Sequence, residues 1–455
     1  MINRILRTVS SLAITVVVSL VVPACAGAPG PAPGSAPVVP PIASGGPALV
    51  VPAGAPSAGG SGEGPVPGIP SRPAAPDEQG FEVWLAAFAD QAVQAGIRRE
   101  TVERALGGLT VDPGVIEKDR RQPESTLSFL DYLDRSVTRD RVAKARNILE
   151  QYRVPLARIE ERYGVDARFL AAFWGMETNF GSNMGKNNVF RSLATLAFDG
   201  RRASFFRTEL MNALRIADSG AADPAQMVGS WAGAMGNFQF MPSTFLSYAV
   251  DVAGTGRKDI WGDPETALAS AANYLARLGW RHGQSWGTLV RLPADFPWQI
   301  ADMSIQKPLA EWVAMGVVAS DGQALPSEGR GAILLPMGYR GPAFLTFDNF
   351  QIITTWNSSL SYALAVGLLA DRIAGAPPFA GPRPTDADPL QPQDVIALQN
   401  LLIDLGHDPG GADGQIGKKT RAAIRTLQLA CHQPADGYPT VALLTAARAL
   451  AAQKP

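Results

Sequence analysis

A carboxylate at the end of an apolar helix is the first group in this chain whose setting suggests chemistry. From Gly164 to Gly181 the sequence runs Gly-Val-Asp-Ala-Arg-Phe-Leu-Ala-Ala-Phe-Trp-Gly-Met-Glu-Thr-Asn-Phe-Gly. Asp166 is placed to cap a helix start. Phe169, Leu170, Phe173 and Trp174 share one face, and Glu177 follows Phe173 by four residues on that face. Burial disfavours a charged carboxylate and raises its pKa. An acid still protonated near neutral pH can protonate a leaving group. The simpler alternative is a solvated helix-end residue, or one paired with Arg168 or Arg191. A second stretch, from Gly229 to Thr244, reads Gly-Ser-Trp-Ala-Gly-Ala-Met-Gly-Asn-Phe-Gln-Phe-Met-Pro-Ser-Thr. Its small residues let backbone approach a ligand closely. Gln239 brings an amide donor and acceptor, and Phe238 and Phe240 bring apolar faces. That mixture suits a sugar, although a tight turn with packed aromatics explains it as well.

The elements that must hold these residues read as helices. Phe81, Trp84, Leu85 and Phe88 form an i, i+3, i+4, i+7 stripe. Thr101 to Leu106, Leu127 to Leu133, Arg141 to Tyr152 and Leu156 to Tyr163 continue the series up to the glutamate. Leu193 to Phe198 and Phe205 to Ala217 follow it. No alternating apolar–polar run stands out before residue 330. Ile333 to Leu335 and Ala343 to Thr346 are expected as short strands near the site. Basic residues (40) nearly balance acidic ones (41), so no field of one sign calls for nucleic acid. Three histidines and two cysteines are too few for a His/Cys metal site or a disulfide framework.

Taken in order, these motifs resemble the lytic murein transglycosylases of the membrane-bound B type. They are Trp-Gly-x-Glu-Thr-x-Phe-Gly, then Ser-x-Ala-Gly-Ala-Met-Gly-x-x-Gln-Phe-Met-Pro-Ser. Tyr248-Ala-Val-Asp251, Ala271-Ala-Asn-Tyr-Leu275, Gly279-Trp280 and Trp356-Asn-Ser-Ser-Leu-Ser-Tyr-Ala363 extend the likeness over roughly residues 80 to 375. The resemblance implies a mostly α fold: a lysozyme-like helical catalytic domain over 78–375, followed by a small three-helix domain. It also implies cleavage of the β-1,4 bond between N-acetylmuramic acid and N-acetylglucosamine in peptidoglycan. One glutamate acts there as acid and then base, the 2-acetamido group assists, and a 1,6-anhydromuramic end forms without water. Glu177 takes the catalytic position. Ser230, Gln239, Phe240, Tyr274, Asn357 and Tyr362 take substrate-binding ones, and no cofactor is implied. The family carries Tyr before that Asn; Trp356 stands here, without the phenolic hydroxyl. Two other classes remain: a hydrolytic muramidase, which needs a second carboxylate, and a wall-binding scaffold without activity.

Asp251 to Asp263 is like the family's EF-hand loop. Such a loop needs oxygen ligands at positions 1, 3, 5, 9 and 12. Positions 3 and 12 are Ala253 and Gly262, so no metal is expected. The glycines then serve a turn, and the aspartates cap neighbouring helices.

Residues 1–26 read as an export signal. Arg4 and Arg7 precede an apolar run, Leu12 to Val22, too short to span a membrane comfortably. Val22-Pro-Ala-Cys25 resembles a lipoprotein signal that leaves Cys25 acylated and the protein held at the outer membrane, although Pro23 departs from the pattern. Cleavage after Ala26 into the periplasm is the other route. Residues 27–76, almost only Pro, Gly, Ala, Ser and Val, form a spacer with no core-forming period. At about 3 Å per residue it reaches on the order of 100 Å. A Pro-rich linker covers 376–390. Residues 391–452 resemble the three-helix peptidoglycan-binding module, on Leu398-Gln399, Asp413-Gly-x-Ile-Gly-x-x-Thr420 and Asp436-Gly437, with an internal pseudo-repeat. The alternative is a small domain that docks on the larger one.

Overall fold

The computed structural model describes residues 77–120, 127–384 and 390–452. The signal segment with Cys25, the 27–76 spacer and part of the second linker lie outside them. Helices form where the apolar periodicity placed them. The first, Glu78–Gln94, buries Phe81, Leu85, Phe88 and Ala92 along one face. Phe129–Ser136, Arg139–Gln151 and Arg153–Tyr163 then lead to the glutamate helix, Ala167–Thr178. Val189–Asp199 and Ala203–Asp218 pack against each other as the next pair. One large core joins these helices to Pro264–Arg277 and Leu360–Ile373.

A five-stranded antiparallel sheet lies beside this core. Its spatial order is Lys307–Pro308, Arg330–Leu334, Ala343–Thr346, Gly287–Arg291 and Val318–Ala319. Leu345 is paired with both Thr288 and Ile333. The two strands expected after residue 330 are present, but Gly287–Arg291 and two shorter strands precede them. The sheet shows no alternation because both faces are covered. Leu334 and Phe344 enter the large core, while Ile333 and Leu345 enter a second core with Phe296, Leu309 and Trp312. Strands buried on both faces read as continuous apolar runs, not as a period of two.

The C-terminal module has three helices, Pro392–Asp404, Lys418–Ala430 and Val441–Ala451, around Val395, Leu398, Leu402, Ile424, Leu427 and Leu443. Its pseudo-repeat has a physical cause. In the first half the Gln399 side chain accepts from the Gly414 N–H (2.8 Å) and donates to Asp413 Oδ1 (3.0 Å). In the second half Gln428 does the same for Gly437 (2.8 Å) and Asp436 Oδ1 (2.7 Å). A buried amide therefore satisfies each Asp-Gly turn from inside the helix that precedes it. The module also docks on the larger body. The Tyr339 N–H donates to Asp436 Oδ2 at 2.8 Å, Arg425 pairs with Asp302 at 2.7 Å, and Tyr438 belongs to the large core.

Candidate active site

The glutamate helix starts at Asp166, whose side chain accepts from the Arg168 N–H at 2.9 Å. Phe169, Leu170 and Phe173 are at most 1 % exposed, so the face that carries Glu177 faces the core. The helix ends abruptly. Asn179, Phe180 and Gly181 all have positive φ (49°, 61° and 81°), and the chain turns beneath the Gly-rich stretch. Asn237 ties the two together. Its Oδ1 accepts from Trp174 Nε1 (2.9 Å), and its carbonyl accepts from the Thr178 hydroxyl (2.8 Å). Its Nδ2 donates to the carbonyls of Ile260 (2.9 Å) and Trp261 (3.0 Å). Gly181 has to be glycine here, since a Cβ would lie 2.6 Å from Asn237 Oδ1.

Glu177 sits part-buried among rings. Tyr362 Oη and Trp356 Nε1 both donate to its Oε1, at 2.5 and 2.8 Å. Its Oε2 takes part in none of the described hydrogen bonds. Burial pushes the carboxyl up to about 7, against the lowering pull of the Tyr362 and Trp356 donors. Neither arginine proposed as a partner is one. Arg168 pairs with Asp166 and Asp371, and Arg191 pairs with Asp112. Burial, and then the charge of Glu177, raise the Tyr362 hydroxyl well above its ordinary value. The same causes take the Tyr132 hydroxyl to about 12.

Trp356 is the hub of the ring cluster. Its centroid lies 4.6 Å from Phe173, 5.0 Å from Tyr274, 5.7 Å from Phe240 and 6.3 Å from Phe238. The missing phenolic hydroxyl put hydrogen bonding at this position in doubt; the indole N–H makes a hydrogen bond to Glu177. Of the other residues singled out, Tyr274 stacks on Tyr248 at 4.4 Å and is edge-on to Phe240. Gln239, at φ 50°, uses its Nε2 to hold the carbonyls of Gly236 (2.9 Å) and Met184 (3.1 Å). Asn357 accepts from the Ser359 N–H (3.0 Å), at the start of the helix that carries Tyr362. Ser230 is turned to its own loop, where its hydroxyl accepts from the N–H groups of Ala234 (3.1 Å) and Ala232 (3.3 Å). Phe240, Tyr274 and Tyr362 therefore join Glu177 through Trp356 or directly. Ser230 and Gln239 shape the wall beside them. Two residues escaped the sequence. Tyr132 lay in a helix read only as packing, and Asn237 lay unweighted between Gly236 and Phe238.

Residues 80–371 match the family model described as the transglycosylase SLT domain. Residues 391–446 match the putative peptidoglycan binding domain. The chain belongs to the transglycosylase SLT-domain family. It is 34 % identical over 249 residues to membrane-bound lytic murein transglycosylase B of Escherichia coli strain K12, covering 54 % of this chain and 68 % of that protein. SltB3 from Pseudomonas aeruginosa, solved in complex with NAG-anhNAM-pentapeptide, is 49 % identical with a TM-score of 0.79, covering 81 % of this chain and 99 % of that one. An Escherichia coli lytic transglycosylase solved in complex with calcium is 31 % identical with a TM-score of 0.56, covering 66 % and 93 %.

That calcium complex makes the 251–263 loop worth testing against its own ligands. Asp251 Oδ2 accepts from the Gly256 N–H (2.6 Å), and Asp259 Oδ1 accepts from the N–H groups of Gly262 (2.7 Å) and Trp261 (3.0 Å). Asp251 Oδ1 is buried without a partner, but one free oxygen does not make a site. A side chain at Gly262 would meet Asp259 Oδ2 at 2.8 Å. Among the described residues no three His, Cys, Asp or Glu side chains group around a metal position. The loop does not fit a tight calcium site. Its exit instead supplies the Ile260 and Trp261 carbonyls that hold Asn237, and Asp263 caps the Pro264–Arg277 helix.

Two outcomes follow from the site. Adding micromolar calcium, or a chelator, should leave the melting temperature within a degree or so; a rise of many degrees would show a working site. In Trp356→Phe the ring packing stays and one donor to the carboxylate is lost. Loss of a donor favours the neutral form, so the Glu177 carboxyl should titrate above its value of about 7. A ¹³C titration of labelled glutamate reads this directly, and a downward move would contradict the assignment.

Proposed function

We propose that Glu177 carries out both proton transfers in a non-hydrolytic cleavage of peptidoglycan. The enzyme is a peptidoglycan lytic transglycosylase. It breaks the β-1,4 bond between N-acetylmuramic acid and N-acetylglucosamine and leaves 1,6-anhydromuramic ends. The neutral Glu177 carboxyl protonates the glycosidic oxygen as the bond to muramic C1 breaks. Positive charge develops at C1, and the substrate's own 2-acetamido group stabilises it. The carboxylate then takes the proton of the muramic C6 hydroxyl as that oxygen attacks C1, which restores the neutral acid. One observation carries this reading: a single carboxyl, held near neutrality by burial, with both protein donors on one oxygen. The proton therefore belongs on Oε2. A group that must be acid and then base works best with a pKa near the working pH.

A water-using muramidase has less support. The groups that act on Glu177 are Tyr362 and Trp356, and no second carboxylate is among them. The aromatic cluster of Phe240, Tyr274 and Trp356 offers faces for sugar rings. Asn357 Nδ2, Gln239 Oε1 and the Tyr274 hydroxyl make none of the described hydrogen bonds and are the polar groups we assign to glycan. The C-terminal module holds the polymer.

Glu177→Gln should keep the fold, since the amide has nearly the same shape. It can neither give nor take the proton, so release of anhydromuropeptides from purified sacculi should fall at least the roughly 10²- to 10⁴-fold of one acid–base role. Appreciable residual release from a folded variant would place the acid elsewhere.

We infer a periplasmic enzyme from the export-signal pattern of residues 1–26 and from peptidoglycan as substrate; among the described residues no helix is long and apolar enough to cross a membrane. We assign Cys25 as the point of lipid attachment, on Val22-Pro-Ala-Cys25 and the long spacer after it. Expressed with its own leader, the protein should take up labelled fatty acid and fractionate with outer membrane, and Cys25→Ser should abolish both. Uptake by that variant would place the lipid at another residue, and none by the parent would leave a freely soluble enzyme.

A further inference from the structure

Where the C-terminal module meets the larger body, a cavity of about 150 Å³ opens between them. Its walls are mixed, with Leu127 and Phe129 contributed by the larger body, Val395 and Ile416 by the module, and Ser128, Ser361 and Arg421 among them. Arg421 is poorly served there. Its one described hydrogen bond, Nη1 to the Gly437 carbonyl, is 3.5 Å long, and it makes no described ion pair. The carboxylates near it are committed elsewhere. Asp302 accepts from Arg425 (2.7 Å) and from the Ser304 hydroxyl (2.6 Å) and N–H (2.9 Å). Asp436 accepts from Gln428 (2.7 Å), from the Tyr438 N–H (2.8 Å) and from the Tyr339 N–H (2.8 Å). Burial and then the like charge of Arg425 lower the Arg421 pKa, against the raising pull of Tyr438, Asp302 and Asp436. Arg421 is half-buried, and with one long hydrogen bond and no described ion pair its guanidinium keeps donors for an anion that enters the seam.

We propose that this seam is a binding subsite for a carboxylate of the peptide stem of the wall polymer, with Arg421 as its anchor. The inference rests on the wall-polymer reading given above. The arginine fork suits a carboxylate bidentately. The apolar residues in its walls suit the small alkyl side chains beside it, and a cavity of this size excludes a large hydrated polyanion. The seam also touches the catalytic elements. Ser361 precedes Tyr362, which donates to Glu177. Ser128, another lining residue, caps the helix that brings Tyr132 to Glu177. A stem peptide held here keeps its glycan strand on the enzyme while bracing both elements.

The test is calorimetric titration of the full chain with a stem pentapeptide and with the same peptide after its carboxylates are converted to carboxamides. The acid form should bind roughly tenfold tighter, the value of one charge-assisted contact. Arg421→Met should erase that preference, and Arg421→Lys should keep part of it. Turnover of peptide-free glycan should be unchanged in both. Equal binding of the two peptides by the parent chain overturns the proposal, as does a preference that survives in Arg421→Met. Should Arg421→Met melt early, Arg421→Lys decides: with its fold intact, it must still favour the acid form. Release of anhydromuropeptides by the parent chain is measured in parallel. Its absence would sink the enzymatic reading, whereas intact release with indifference to the peptide carboxylates would sink only the seam.

Discussion

A carboxyl group partly withdrawn from water, yet held by two donors on one of its oxygens, is the constraint on which the rest of this structure depends. Burial alone favours the neutral acid, and the Tyr362 and Trp356 bonds favour the carboxylate. Neither influence is useful without the other. A fully desolvated carboxyl without donors would hold its proton too firmly to surrender it. A solvated one would have lost it well below neutrality. The balance near 7 requires an apolar wall that brings its own N–H and O–H groups. Aromatic residues with a polar edge meet that requirement, because one face packs while the edge donates. Trp356 does so with a group that neither ionises nor accepts, so Oε1 is fixed as the acceptor.

Meeting this constraint takes elements far apart in the chain. Trp356 ends the helix Asp348–Trp356, and Tyr362 lies in the first turn of Leu360–Ile373. Asn357 and Ser359 set the turn between the two helices through one side-chain bond. The first of these helices follows directly on the Ala343–Thr346 strand, which is fixed on both faces by the two cores. On the other side, Asn237 ties the Gly-rich turn to the end of the glutamate helix through two hydrogen bonds and to the 260–261 backbone through two more. The acid is thus placed by rigid packing and not by a loop, as a group that must stay within hydrogen-bond reach of its partners requires.

Much of this was legible in the chain, and the failures have physical causes. Glu177, its apolar face and the Asp166 cap follow from spacing alone, because helix periodicity and capping are local. The three-helix module was legible for the same reason. Gly287–Arg291 was not, since a short strand covered on both faces carries no period of two. The donor role of Trp356 was missed because a lost hydroxyl was counted and a gained indole N–H was not. Tyr132 could not be placed, since only tertiary packing brings its helix to Glu177. Ser230 was singled out for its motif, and its hydroxyl turns to the backbone of its own loop. A polar residue in a Gly-rich turn has its nearest unsatisfied partners in the turn itself.

The same constraint bears on the choice between water and an internal nucleophile. In the proposed mechanism, with both protein donors on Oε1, the oxygen that gives the proton to the leaving group is also the one left to act as base. A water molecule would have to be positioned by a second carboxylate, as in hydrolytic enzymes with two acids, and none acts on Glu177. The C6 hydroxyl needs no such help. It is tethered to the reacting sugar, and well-oriented intramolecular groups reach effective molarities on the order of 10⁵ M or more. A single carboxyl in an apolar wall therefore favours ring closure over hydrolysis. In the proposed mechanism it collects a proton from a hydroxyl that the substrate itself delivers, and the groups that act on it, Tyr362 and Trp356, are both donors.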